Sequence, residues 1–105
     1  MEVSGPIHFE QASREAGVVL RICGELDDFT AQELRLRLQH LREKTPGLIE
    51  LDLTGLTYLN SAGLGVLAQA WRAMHKASRP FLLSKAPPSI RTIFKALALE
   101  RLLAD

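Results

Sequence analysis

The chain has 105 residues, 47% of them apolar and 24% charged, with a formal net charge of +1. That is the size and balance of one globular domain, and it excludes a disordered tail, a coiled coil or a collagen-like chain. A charge so near zero points to no nucleic-acid partner, and the apolar runs are too short for membrane insertion.

The start, Met1 to Pro6, lacks the basic and apolar segments of a secretory signal, and the single cysteine, Cys23, closes no intramolecular disulfide. A cytoplasmic home is expected. Charge is uneven along the chain: residues 1–53 hold six Lys/Arg against ten Asp/Glu, and residues 54–105 hold seven against two. An acidic and a basic face would orient docking to another macromolecule, unless the halves interleave in space.

In chain order, alternation from Ile7 to Glu10, a turn at Gly17 and the β-branched run Val18–Cys23 predict an antiparallel hairpin. Gly24 to Asp28 reads as an exit loop, and Thr30 with Glu33 has the spacing of a capping box. The helix that follows carries Leu34, Leu38 and Leu41 on one face and ends before Pro46-Gly47. Leu48–Leu53 is a nearly continuous apolar strand, expected at the sheet centre with both faces buried. Thr54–Asn60 reads as a loop, and a helix from Ser61 directs Leu64, Leu67, Trp71 and Met74 inward. Phe81–Leu83 is a short strand. Pro87-Pro88-Ser89 opens a last helix with Ile90, Ile93, Phe94 and Leu97 inward. Alternation of strand and helix after a hairpin predicts an α/β fold: a small mixed β-sheet of about four to five strands with helices packed mainly on one face.

Catalytic signatures are missing. His8, His40 and His75 lie far apart in sequence, so no metal site is expected, and Cys23 reads as a buried small hydrophobe. Gly63-Leu64-Gly65-Val66-Leu67-Ala68 matches a dinucleotide fingerprint in letters only. Its glycines stand too far from the preceding strand, and the acid expected ~20 residues on is absent. The carboxylate pair Asp27-Asp28 reads as an exposed acidic loop. Neither an enzyme nor a cofactor is expected.

The informative stretch is Asp52 to Gly65, where a central strand runs through a loop into a helix that starts at a serine. Serine is a good helix cap. Gly63 and Gly65, however, each lower helix propensity by ~1 kcal/mol, and residues without side chains there leave the backbone open to a partner's close approach.

Asp52-Leu53-Thr54-Gly55-Leu56 and Tyr58-Leu59-Asn60-Ser61-Ala62-Gly63-Leu64-Gly65 resemble the signature of the STAS domain family, in particular its single-domain anti-sigma factor antagonists. Gly24-Glu25-Leu26-Asp27 followed by Thr30-Ala31 is similar to a second family motif, and Pro88-Ser89-Ile90-Arg91 to a third. The likeness runs over roughly residues 7–103. It implies a phospho-switch at Ser61. The unmodified protein would bind an anti-sigma factor serine kinase (a GHKL-type ATPase) and release a sigma factor, and a PP2C-type phosphatase would reset the modified form. The surface so implied comprises Asp27, Thr57, Asn60, Ser61, Ala62, Gly63, Leu64 and Gly65, on a monomer or weak dimer. The chain departs from the family at Asn60, where aspartate is usual, at Ala77–Pro80, where a Gly-Gly turn is common, and at Ala98-Leu99, where Gly-Leu is common. A STAS subunit of a lipid-transport ABC complex or of a stress-sensing assembly is the alternative.

Overall fold

A computed structural model describes residues 7–104; the reading of Met1 to Pro6 lies outside them. The elements are β1 (Ile7–Arg14), β2 (Gly17–Leu26), α1 (Ala31–Lys44), β3 (Leu48–Asp52), β4 (Leu56–Leu59), α2 (Ser61–Lys76), β5 (Phe81–Ser84), α3 (Pro88–Ala96) and a 3-10 turn (Glu100–Leu102). They form a five-stranded mixed sheet, ordered β1-β2-β3-β5, with β4 paired to β2. The antiparallel hairpin β1–β2 turns through Glu15 and Ala16, and every other pairing is parallel. Helices cover one face.

That face follows from period-two burial along the strands. Val18, Leu20 and Ile22 of β2, Ile49 and Leu51 of β3, and Phe81 and Leu83 of β5 are buried. They meet Leu34 and Leu41 of α1, Leu64, Leu67 and Met74 of α2, and Ile90 and Phe94 of α3 in one core. The opposite face is polar. Arg21 lies 3.6 Å from Glu10 and 3.4 Å from Asp52, and the Ser84 hydroxyl donates to Glu50 at 2.6 Å. The strand from Leu48 was expected to be buried on both faces. It has helices on one face only, and Glu50 and Asp52 occupy the other, paired with polar groups from β2 and β5.

Three further expectations change. β2 continues to Leu26 instead of ending in a loop at Gly24, and β4 forms inside the stretch read as a loop. The two changes have one cause: the extra length of β2 offers unpaired backbone, and β4 adds to it through Gly24–Leu56, Glu25–Tyr58 and Leu26–Leu59. Leu97, placed inward by helical spacing, is 54% exposed because α3 ends at Ala96 and the chain turns there. Leu38 and Trp71 are only half-buried, at the margin of the core.

The capping box also shifts. Thr30 has helical φ and ψ of −101° and −12° and makes no cap with its side chain. The reciprocal pair lies three residues earlier. Asp27 Oδ1 accepts from the Thr30 amide at 3.1 Å, and Thr30 Oγ1 accepts from the Asp27 amide at 2.9 Å. The Asp27 carbonyl then takes the Ala31 amide at 2.8 Å. A helix cap needs extended backbone and an oxygen facing the first turn, and aspartate at 27 supplies both the oxygen and the charge favoured there.

The two places where the STAS resemblance implies glycine carry left-handed backbone, with φ of 57° at Ser78 and 58° at Ala98. At each, the following amide reaches back five residues, Arg79 to the Met74 carbonyl and Leu99 to the Phe94 carbonyl, both at 2.8 Å. These are Schellman ends in which a Cβ costs energy that glycine avoids. Ala98→Gly is therefore expected to stabilise the fold by about 0.5–1 kcal/mol, read as a higher urea midpoint at unchanged slope.

Asp52 ties β3 to its surroundings. Its Oδ1 accepts the Thr54 amide at 2.9 Å, and its other oxygen faces Arg21. Burial pushes its carboxyl up, but the Thr54 hydrogen bonds and the charges of Arg21 and Lys85 outweigh that and hold it below the usual carboxylate value of 3.8. A folded-state value below the unfolded one adds stability at neutral pH that is lost as pH falls through the folded value. Asp52→Asn is expected to unfold more readily than wild type at pH 7, with the difference shrinking as pH falls below 3.8 and vanishing below the folded value, in paired denaturation curves.

Candidate functional site

The C-terminal ends of β2 and β4 lie side by side, and each strand leads into the start of a helix. Asn60 joins the two starts. It has extended backbone (φ −116°, ψ −174°) and is the true cap of α2: its Oδ1 accepts from the Gly63 amide at 3.1 Å, and its carbonyl takes the Leu64 amide at 2.9 Å. The Asn60 Nδ2 donates to Asp28 Oδ1 at 2.9 Å, and the Asn60 amide donates to the Leu26 carbonyl at 3.3 Å.

Ser61 is thereby relieved of the capping role that serine would otherwise take. It is the first residue of α2 and is exposed, and its hydroxyl has no hydrogen-bond partner among the described residues. First-turn amides have no partner within a helix, and their dipoles point at incoming negative charge. A free hydroxyl in such a place can be esterified without breaking any bond of the fold.

Asn60 also explains its own departure from the family. An aspartate could still accept from Gly63, but it would set a second carboxylate within hydrogen-bonding distance of Asp28. The amide replaces that repulsion with a donated bond.

The other residues singled out from the sequence separate into two groups. Thr57 is exposed and donates to the Gly24 carbonyl at 3.1 Å, and Ala62 and Gly65 are partly exposed beside Ser61. Asp27, Gly63 and Leu64, the other residues of the implied surface, face inward. Asp27 is 6% exposed and is consumed in the cap of α1, so its effect on the surface is to hold Asp28 in place. Leu64 is 3% exposed and belongs to the core.

The two glycines have different reasons to be glycine. A Cβ at Gly63 would lie 2.6 Å from both the Leu26 carbonyl oxygen and Leu26 Cγ, so this residue lets α2 pack against the end of β2. A Cβ at Gly65 would meet nothing within 4 Å. Only Gly65 leaves open backbone that the fold itself does not need.

The residue missed by sequence reading is Phe29, which is 74% exposed and directly follows Asp28. Helical periodicity could not single it out, since the turn formed by the Asp27 cap decides where it points. Tyr58, 48% exposed on β4, is a second outward aromatic. A half-open apolar groove of about 350 Å³ between α1 and α2 lies elsewhere; neither Asn60 nor Ser61 lines it.

The family model described as "Mlab, STAS domain" matches residues 9–104. The chain belongs to the STAS domain family. A relative from Lysinibacillus sphaericus, named anti-sigma F factor antagonist, is 28% identical over 92 residues, covering 85% of this chain and 78% of its own. The anti-sigma-B factor antagonist of Listeria monocytogenes is 25% identical over 79 residues, covering 75% and 69%. Among solved structures, an anti-sigma factor antagonist from Mycobacterium paratuberculosis superposes with a TM-score of 0.81 at 22% identity, over 94% of this chain and 84% of that one. The unphosphorylated form of the anti-sigma factor antagonist SpoIIAA gives 0.74 at 23% identity, over 95% and 87%. At those identities the superpositions establish the shared fold. No helix among the described residues is long and apolar enough to cross a membrane.

The unequal glycines give a direct test. Gly63→Ala should destabilise by roughly 1–3 kcal/mol through overpacking against Leu26, whereas Gly65→Ala should leave stability unchanged or raise it by up to about 1 kcal/mol. Thermal and urea denaturation of the two variants, side by side, read the contrast.

Proposed function

We propose that this STAS domain is an anti-sigma factor antagonist: a cytoplasmic binding module, not an enzyme, that docks an anti-sigma factor serine kinase and is switched off by phosphorylation of Ser61. The observation that carries this reading is the exposed, unbonded hydroxyl of Ser61 beside the Asn60 cap. The names of its relatives, anti-sigma F and anti-sigma-B factor antagonists, support the same reading.

The physics of the switch is local. A phosphoserine carries roughly −1.5 to −2 charges and three acceptor oxygens. Next to free first-turn amides and the positive end of the α2 dipole those oxygens are tolerated, so the fold persists. Against an acidic or apolar partner the same dianion costs several kcal/mol, and each ~1.4 kcal/mol is a tenfold loss of affinity. The contact surface in this proposal is Thr57, Asn60, Ser61, Ala62 and Gly65, with Asp28 beside them and Phe29 as an apolar anchor. Aromatic residues, phenylalanine among them, are enriched at protein interfaces.

The experiment incubates the protein with ATP and the candidate kinase and measures intact mass. One phosphate is expected on wild type and none on Ser61→Ala. Ser61→Asp should bind the kinase at least ~100-fold more weakly at unchanged far-ultraviolet circular dichroism, and Phe29→Ala should weaken binding by ~1 kcal/mol or more. Equal affinity of wild type and Ser61→Asp would overturn the switch.

Asn60, in place of the family aspartate, favours one second reading: a STAS subunit of a lipid-transport ABC complex or of a stress-sensing assembly, in which no phosphate is transferred. Co-purification with an ABC nucleotide-binding subunit, together with no mass change under ATP, would establish it instead.

A further inference from the structure

The helix-free face of the sheet gathers three side chains that sequence distance kept apart. His8 and Cys23 are direct partners in the β1–β2 register, and Glu10 follows His8 by two residues on the same face. One ligand atom from each of the three lies within 4.8 Å of the others. His8 Nε2 and Glu10 Oε2 are already 3.4 Å apart.

Those donors and spacings have a chemical meaning. Zinc bonds of about 2.0–2.3 Å to nitrogen, oxygen and sulfur, arranged tetrahedrally, place neighbouring ligand atoms about 3.3–3.6 Å apart. The histidine–glutamate separation meets that figure, and Cys23 Sγ, within 4.8 Å of both, would close on them when the ion binds. An imidazole, a carboxylate and a thiolate together form a donor set suited to a borderline-soft divalent ion.

We propose that His8, Glu10 and Cys23 bind one zinc ion on the helix-free face, with the fourth position open to water or to a ligand from outside the chain. Two features of the surroundings prepare the site. Glu10 divides its oxygens, Oε1 facing Arg21 at 3.6 Å and Oε2 facing His8, so Arg21 orients the carboxylate while the ligating oxygen remains available. Gly55 makes room for the thiol: a Cβ there would lie 2.8 Å from Cys23 Sγ. Both ligands on β1 are exposed, so the ion has direct access. On binding, the Cys23 S–H bond breaks, its proton leaves to solvent, and the sulfur electron pair forms the bond to zinc. The thiolate and the Glu10 carboxylate balance the two positive charges. The ion then links β1 to β2 through side chains as well as through backbone, on the face opposite the Ser61 surface's helix.

The test uses the full chain, free of any histidine tag, reduced and titrated with zinc against a chromophoric chelator. Cobalt serves as a spectroscopic probe. The expected result is one equivalent of zinc, a tetrahedral cobalt spectrum with a thiolate-to-metal charge-transfer band, and a higher unfolding temperature with zinc. Cys23→Ser should abolish the charge-transfer band. His8→Ala, a change at an exposed position, should weaken zinc binding at least ~10-fold, and Arg21→Gln about tenfold. Absence of the charge-transfer band in wild type, or undiminished zinc affinity in His8→Ala, would overturn the site.

Discussion

The Asn60 side chain holds together the part of the molecule on which recognition depends. Its oxygen closes the first turn of α2 through Gly63, and its nitrogen reaches Asp28 in the turn that leads into α1. One amide thus does what a carboxylate could not, because an amide presents an acceptor and a donor at once whereas an ionised carboxylate only accepts. With the cap supplied by residue 60, the hydroxyl of residue 61 has no structural duty. That division of labour separates the stability of the helix from the chemistry of its first residue, and it lets a modified serine be accommodated without unfolding anything.

The same end of the sheet explains why two helix starts meet. Parallel strands β2 and β4 deliver their chains in one direction, so the amides that open α1 and α2 converge at the strands' C-terminal edge. Asp27 and Asn60 each satisfy one helix, and between them they leave Asp28, Phe29 and Ser61 outward. Asp27 is indispensable to this surface without being part of it. The surface is shaped from beneath, by Asp27 under α1 and by Gly63 where α2 rests on Leu26.

The sheet's two faces divide the protein's work. Helices bury the apolar face and make the core, while the other face is kept in water by a lattice of ion pairs and hydrogen bonds that runs from Glu10 through Arg21 to Asp52. Burying Asp52 among such partners costs little because each of its oxygens has a hydrogen-bond donor. This face also makes neighbours of residues fifteen positions apart, His8 and Cys23, which is how chemically apt groups come together without a sequence motif.

The hairpin, the three helices, the central strand and the serine at the start of α2 were legible in the sequence, because alternation, helical spacing, proline and glycine are local signals written in consecutive residues. The STAS resemblance was legible for the same reason, as runs of adjacent residues. Three things depended on partners distant in the chain, and only the folded structure decided them. β4 exists because β2 extends past Gly24 and leaves backbone to pair with. The caps fell on Asp27 and Asn60, and not on Thr30 and Ser61, because backbone conformation chooses which of several suitable oxygens faces the first turn. Gly63 and Gly65 look alike as letters and differ only in what stands opposite them, Leu26 in one case and open space in the other. A sequence specifies which groups a chain carries; which of them meet, and which remain free, follows from packing.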